Sequence, residues 1–270
     1  MTTGRAAGYD SLYGEFDSPL MRQVRLEAYG EDIGQHSWVR ADELRRDIGG
    51  LKVTSGSRLV DLGCGPCGPL TLVLASVRCR GTGMDESIPA LAAGRARAAA
   101  LGLGSLMTVQ EADLNEPLPL SAGSFDAALC LDVVLHVRDR ERLFREVARV
   151  LAPGGRLLLT DAGILTGPVT DEELSLRSGH GHTQFVAPGF NERVLEASGF
   201  TLLESGDRTA SVLKNAVGRL EARQAYREEL EQVEGPPAFE RQQRYLEMVV
   251  ELSRRGAVSR TMYLAERKET

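Results

Sequence analysis

The chain has 270 residues, 42% of them hydrophobic and 26% charged, which supports a substantial buried core and argues against a disordered chain. Its formal net charge of −6 excludes a dominant electrostatic grip on nucleic acid or on an anionic membrane, since either needs a basic face. No run approaches the roughly 18 consecutive apolar residues of a membrane helix. Residues 1–8 lack the apolar stretch of a signal peptide, so a cytoplasmic location is expected.

Residues 1–50 read as mostly helical. Ser18-Pro19-Leu20 has the form of a helix start, with Ser18 as the cap and Pro19 at the first position. A second helix is expected over 41–48, stopped by Gly49-Gly50. From residue 57 the pattern changes to alternating strands and helices. Strands are expected over 58–61, 79–85, 107–111, 125–131 and 156–160, and helices over 69–77, 88–101 and 140–151. The last helix is amphipathic through Leu143, Val147 and Val150. Such alternation implies a parallel sheet covered by helices on both faces. Further on, 191–198 reads as a helix and 201–204 as a sixth strand. A long charged helical stretch over 211–255 is broken at Gly235-Pro236-Pro237, and 260–265 is the last strand. The expected organisation is therefore α/β. A helical lid segment over 1–50 precedes a core over 51–210. A helical cap over 211–256 is inserted before the final strand, which lies within 257–270.

Four cysteines, Cys64, Cys67, Cys79 and Cys130, fall in segments read as core. Cys64 and Cys67 have the C-x-x-C spacing, but no further ligands follow at zinc spacing, so no metal is expected. Free reduced thiols are the plain reading, with a redox pair as the alternative.

In an open parallel sheet, ligands bind beyond the carboxyl ends of the strands. The first strand runs into Asp61-Leu62-Gly63-Cys64-Gly65, where glycines let the backbone approach a ligand. Alone, such a loop suits several cofactors or a structural turn. The second strand ends at Asp85-Glu86, where a carboxylate can accept hydrogen bonds from ribose hydroxyls or simply cap the next helix. The third ends at Asp113-Leu114, a place for an adenine amine and its ring, or for a polar turn. The fourth runs through Leu131 to His136, a candidate general base or a buried structural histidine.

The order Asp61-x-Gly63-x-Gly65, Asp85, Asp113, Phe125-Asp126 and Leu151-Ala-Pro-Gly-Gly155 resembles the class I S-adenosylmethionine-dependent methyltransferases, over residues 55–165. That resemblance implies a Rossmann-like, seven-stranded, mostly parallel sheet whose last strand runs antiparallel. It implies S-adenosyl-L-methionine as cofactor, with Asp85 on the ribose and Asp113 and Leu114 on the adenine. Gly63 and Gly65 would line the methionyl part, and Asp61, Cys64, Glu86 and Leu131 would complete the set. One position departs from the family: Cys67 stands where a glycine is usual. A looser likeness, through residues 29–38 and 132–136, is to the glycine/sarcosine and phosphoethanolamine N-methyltransferases. It implies a small, polar acceptor.

The expected function is methyl transfer to a small-molecule acceptor, with nitrogen ahead of oxygen or carbon. Holding a nucleophile in line with the activated methyl supplies most of the rate. His136 is the first candidate for the base, and Tyr13 could close or polarise the site. Gln35, His36, Ser37 and Trp38 could contact the methionyl carboxylate or cover the cofactor. His180, His182 and Trp38 are candidates for the acceptor, with a solvated loop or plain packing as the alternatives. A Rossmann-type oxidoreductase is the competing enzyme class, although the third glycine of G-x-G-x-x-G is missing and Asp113 would lack a role. A non-catalytic scaffold and a nucleic-acid or protein methyltransferase are further alternatives. No nucleic-acid or membrane partner is expected, and the oligomeric state is left open, a homodimer included.

Overall fold

The computed structural model describes Tyr13 and residues 16–179 and 181–269. Helix α1 (Pro19–Tyr29) starts where expected. The Ser18 hydroxyl accepts from the Met21 amide, Pro19 occupies the first turn, and Gly30 ends the helix at φ 77°. Helix α2 (Ala41–Asp47) passes into a 3-10 turn, Ile48–Leu51. Then come β1 (Arg58–Leu62), α3 (Gly68–Val77), β2 (Arg80–Asp85), α4 (Ile88–Ala100), β3 (Met107–Glu111) and β4 (Phe125–Leu131). They are followed by α5 (Arg140–Val150), β5 (Leu151–Leu165), α6 (Asp171–Arg177), α7 (Phe190–Ala197) and β6 (Phe200–Asp207). Last are α8 (Thr209–Ala225), α9 (Arg227–Glu234), α10 (Pro236–Arg254) and β7 (Val258–Arg267).

The seven strands form one sheet in the order β3-β2-β1-β4-β5-β7-β6. The first five neighbours run parallel, and β7 runs antiparallel to both β5 and β6. Central strands in such a sheet are covered on both faces and need apolar residues at successive positions. Leu59, Val60 and Leu62 of β1 are accordingly fully buried, on alternate sides. Leu59 joins the core under α3 and α4, with Leu70, Leu74 and Leu91. Val60 and Leu62 join the opposite core, with Leu143, Phe144 and Val147 of α5 and Leu195 of α7.

A third apolar cluster joins Trp38 to Val212 of α8 and to Tyr245, Leu246 and Val249 of α10. A fourth joins Val24, Ala28 and Tyr29 of α1 to Ala222, Leu230 and Phe239. Helix α1 therefore packs on the helices inserted before β7, not on the sheet. The approach is close at Gly218 of α8, where an added Cβ would lie 2.3 Å from the Ala28 carbonyl oxygen.

Three local features differ from the sequence reading. Pro153-Gly154-Gly155, expected as a stop, loops out within a longer β5, because β4 pairs first at Leu151 and then at Arg156. The stretch after 211 breaks at Tyr226 as well as at Gly235. Helix α6 has no counterpart in the sequence reading.

Candidate active site

The reversal of strand order falls between β1 and β4, which opens a crevice at their carboxyl ends. A cavity of about 1340 Å³, measured out to its mouth, lies there. Gly63 and Gly65 turn the loop into it at φ 69° and 51°. An added Cβ at Gly63 would meet both Val133 methyls at 2.5 Å, and one at Gly65 would lie 3.1 Å from the Tyr13 hydroxyl. The Gly63 and Cys64 amides donate to the Met84 carbonyl. The Gly65 amide donates to Asp85 Oδ2 at 2.8 Å, and the Ser87 amide to Asp85 Oδ1 at 2.9 Å. Asp85 is thus both a cap of the next turn and a wall of the cavity.

Asp61 is almost fully buried in the same wall, and its Oδ2 has no hydrogen-bond partner among the described residues. Burial, with the nearby Asp85 charge in second place, pushes its pKa up to about 8. Asp113 Oδ1 accepts from the backbone and side-chain amides of Asn115 at 2.8 and 2.9 Å, a turn geometry. Asp113, Leu114 and Leu131 line the cavity as well.

Cys67 precedes α3 in the left-handed region, at φ 58°, which explains why a glycine suits this position. Its buried sulfur lies 3.4 Å from Cys64 Sγ. Room for it is made by Gly94, where a Cβ would come within 2.6 Å of that sulfur, and by Gly83, where one would come within 3.1 Å. Burial raises the Cys64 thiol pKa well above its usual value. All four cysteines are free thiols.

Beyond β4 the chain turns through Asp132 at φ 59°. Asp132 accepts from Thr160 Oγ1 at 2.8 Å, the Trp38 amide at 2.9 Å and Arg260 Nε at 2.7 Å. Arg260, fully buried on β7, also meets Glu43 of α2 at 2.5 Å. Burial works against that cation, but the two carboxylates outweigh it and its pKa is raised. Glu43 in turn accepts from Ser211 of α8, and Asn215 of α8 donates to the Trp38 carbonyl. One buried polar network therefore holds the N-terminal segment, the β4 turn and α8 together.

His136 follows in a short 3-10 turn, Val134–His136, and reaches the cavity. Its Nδ1 lies 2.9 Å from the His182 carbonyl oxygen. A carbonyl only accepts, so Nδ1 carries the proton and Nε2 is the basic nitrogen of the neutral ring. The carbonyl is fixed by a second network. The Gln184 amide donates to the Leu135 carbonyl, while Arg140 holds the Gln184 side chain and carbonyl and pairs with Asp161 at 2.5 Å.

The structure brings Tyr13, Ser37, Trp38, Asp61, Gly63, Cys64, Gly65, Asp85, Glu86, Asp113, Leu114, Leu131 and His136 into this one cavity. Gln35 is not among the lining residues, although its neighbours Gly34 and His36 are: its buried side chain accepts from the Ile33 amide and donates to the Glu31 carbonyl, bracing its own turn. His182 contributes its carbonyl to His136, while its exposed side chain stays outside the lining. His180 lies outside the described residues. His36, expected beside Ser37 and Trp38, lines the cavity too, and with it stand Arg177, Arg219 and Tyr245, which the sequence did not place at the site. His36 packs edge-on to Tyr13, with ring centroids 5.7 Å apart. Arg177 and Arg219 both lie over the Trp38 ring, at 5.8 and 5.4 Å. Among the described residues, no cluster of three or more histidine, cysteine or acidic side chains is arranged to hold a metal. None of the described helices is long and apolar enough to cross a membrane.

Residues 60–159, from the glycine loop to β5, match the family described as a methyltransferase domain. The chain carries a class I S-adenosylmethionine-dependent methyltransferase domain. Methyltransferase GfsG of Streptomyces halstedii is 31% identical over 159 residues, 59% of this chain and 52% of that one. The chain thus spans about half the length of that relative. A ubiquinone biosynthesis O-methyltransferase of Aeromonas salmonicida is 26% identical over 193 residues, 68% of this chain and 79% of that one. Among solved structures, a candidate sarcosine dimethylglycine methyltransferase of Galdieria sulphuraria superposes with TM-score 0.82. It covers 99% of this chain and 100% of its own at 18% identity, a likeness of fold that includes the helices around the methyltransferase core.

Proposed function

We propose that this protein transfers the methyl group of S-adenosylmethionine to an oxygen or nitrogen of a small-molecule acceptor, with His136 as the base. The observation that carries this reading is the convergence, in one cavity, of the glycine loop, three acidic strand ends and His136.

The residues fit the cofactor. S-adenosylmethionine is a cation at both its sulfonium and its ammonium, and the cavity wall offers Asp61, Asp85, Glu86 and Asp113. The buried, unpartnered Asp61 Oδ2 suits the ammonium group. Asp85 suits the ribose hydroxyls, and Asp113 with Leu114 suits the adenine. When bound, the cofactor supplies an activated methyl group and leaves as the neutral thioether.

The remaining work falls to the chain. Tyr13, His36 and Trp38 of the N-terminal segment cover the cavity and exclude water; we regard that segment as a lid over the core. His136 Nε2 takes the proton that an acceptor hydroxyl or ammonium must lose, and the His182 carbonyl steadies the resulting imidazolium through Nδ1. Oxygen and nitrogen both meet this requirement. Arg177 and Arg219, in the same cavity, oppose a bare cationic amine. This favours a hydroxyl, or an amine that carries its own anion. Free buried thiols fit a reducing cytoplasm.

Calorimetry with S-adenosylhomocysteine and with NADH is the direct test. The expected result is micromolar-range binding of S-adenosylhomocysteine alone, on the order of −8 kcal/mol. Tight binding of NADH without S-adenosylhomocysteine binding would overturn the proposal in favour of an oxidoreductase.

A further inference from the structure

Five arginines of the described residues are more than nine-tenths buried: Arg25, Arg140, Arg177, Arg223 and Arg260. Four have a carboxylate: Arg25 pairs with Asp32, Arg140 with Asp161, Arg223 with Glu234, and Arg260 with Asp132 and Glu43. Such pairing is the rule, because a buried charge without a counterion costs several kcal/mol. Arg177 is the exception. It is 7% exposed, it donates to the Tyr245 hydroxyl at 2.7 Å and to the Ala162 carbonyl at 3.4 Å, and it has no carboxylate at ion-pair distance among the described residues.

Arg219 of α8 lines the same cavity, and among the described residues it too has no carboxylate at ion-pair distance. Both guanidiniums lie against Trp38, and Arg177 also lies 5.6 Å from the Tyr245 ring centroid. Contacts with aromatic faces and neutral oxygens hold the two side chains in place but leave two positive charges side by side at one end of the cavity, with no carboxylate paired to either among the described residues. In a protein of net charge −6, this local excess is not a general surface property. Its position is also specific. Ala162 lies in β5 and His136 just after β4, so the cations stand across the sheet from the acidic ends of β2 and β3.

We propose that Arg177 and Arg219 form an oxyanion subsite for the acceptor, with Trp38 and Tyr245 as its flat walls. The acceptor is thus a small molecule with a carboxylate or phosphate beside the hydroxyl or amine to be methylated. Guanidinium forks match both oxyanions, and aromatic walls favour a planar body next to the charge. This inference rests on the proposed methyl transfer only for the word acceptor; the subsite itself can be tested without turnover.

The test is thermal unfolding of the full chain, first with S-adenosylhomocysteine and then, at saturation, with benzoate, phenyl phosphate or benzamide at constant ionic strength. Stabilisation by benzoate, by phenyl phosphate or by both, and not by benzamide, is expected; which of the two acts distinguishes carboxylate from phosphate. Arg219→Gln and Arg177→Gln should each weaken the effective anion at least about tenfold, the loss of one charge-assisted contact. Their S-adenosylhomocysteine affinity should stay within about twofold, which also shows that each variant folds. Equal stabilisation by benzamide, no stabilisation by either anion, or anion affinity unchanged in both variants would overturn the subsite. Failure of S-adenosylhomocysteine to stabilise the protein would instead overturn the proposed function.

Discussion

The two ends of the cavity carry opposite charge and are built in different ways. One end has Asp61, Asp85, Glu86 and Asp113, all within 53 residues of chain and each at the end of a strand (61–113). The other has Trp38, Arg177, Arg219 and Tyr245, from an N-terminal turn and from α6, α8 and α10. Hydrogen bonding fixes neighbouring strand ends about 4.8 Å apart, so the acidic end is set by the sheet itself. The basic end depends on how inserted helices pack, and can change without disturbing the sheet. A rigid frame for a constant cofactor and an adjustable frame for a particular acceptor follow from that difference.

His136 stands at the junction, and its removal has the largest expected effect. His136→Ala should lower kcat by about 10²- to 10⁴-fold, the usual contribution of a general base. S-adenosylhomocysteine affinity should change little, and the acid limb of the kcat pH profile should disappear. Unchanged turnover would leave orientation alone as the source of rate. Asp85→Ala should act at the acidic end only, weakening S-adenosylhomocysteine about 100-fold through loss of charge-assisted bonds to two hydroxyls. Benzoate or phenyl phosphate binding should survive in that variant if the two ends are independent.

How each end reads in the sequence follows from the same contrast. The acidic end lies in strand–loop–helix units whose apolar runs, glycines and strand-end carboxylates are local signals. Asp61, Gly63, Gly65, Asp85 and Asp113 could be placed from spacing, and the sheet order put them together. Arg177 could not: the loop just after it, with His180 and His182, is expected at the acceptor, but nothing in the sequence shows that the arginine before that loop faces inward. Its helix does carry a signal that went unread: Thr170 caps the Glu173 amide while Glu173 returns to the Thr170 amide. Seven residues give too short a period for apolar patterning to reveal the helix. Arg219 lies in the long charged helical stretch read over 211–255, where one arginine looks like any other, and only the packing of α8 on Trp38 turns it inward. Gln35 shows a related effect: a polar residue in a loop gives no clue whether it serves a ligand or its own backbone, and here its side chain bonds the Ile33 amide and the Glu31 carbonyl.

Asp61 sharpens the comparison through pH. Its pKa is about 8 in the folded protein against an ordinary 3.8, so the folded state keeps a proton that the unfolded state has lost. Stability without cofactor therefore falls as pH rises from about 4 to about 8 and is level above that, with a limiting slope of about 1.4 kcal/mol per pH unit. Asp61→Asn removes this term. It should raise Tm by about 10 °C at pH 8 and by roughly a third as much at pH 5, as differential unfolding at the two values would show. The same change should weaken S-adenosylhomocysteine. In the parent protein, binding the ammonium group should release a proton, so affinity rises with pH up to about 8. Affinity independent of pH would remove Asp61 from the cofactor's ammonium.

The smallest expected effect concerns Cys67, the one departure from the family within the loop. A left-handed non-glycine residue costs about 1–2 kcal/mol, which Cys67→Gly would relieve. The change also empties the space of a buried thiol beneath Gly83 and Gly94 and frees the unfolded chain, losses of similar size. The net change in stability should fall within about 1 kcal/mol, and S-adenosylhomocysteine affinity should hold. Gly94 makes this informative. Gly94→Ala alone drives a Cβ to within 2.6 Å of the Cys67 sulfur and should destabilise the protein, although alanine is the better helix former by about 1 kcal/mol. Combined with Cys67→Gly, the clash is gone and the helical gain remains, so the double variant should be more stable than the sum of the single changes predicts. Additive effects would mean that the sulfur and Gly94 are not paired, and the room for this cysteine would need another source.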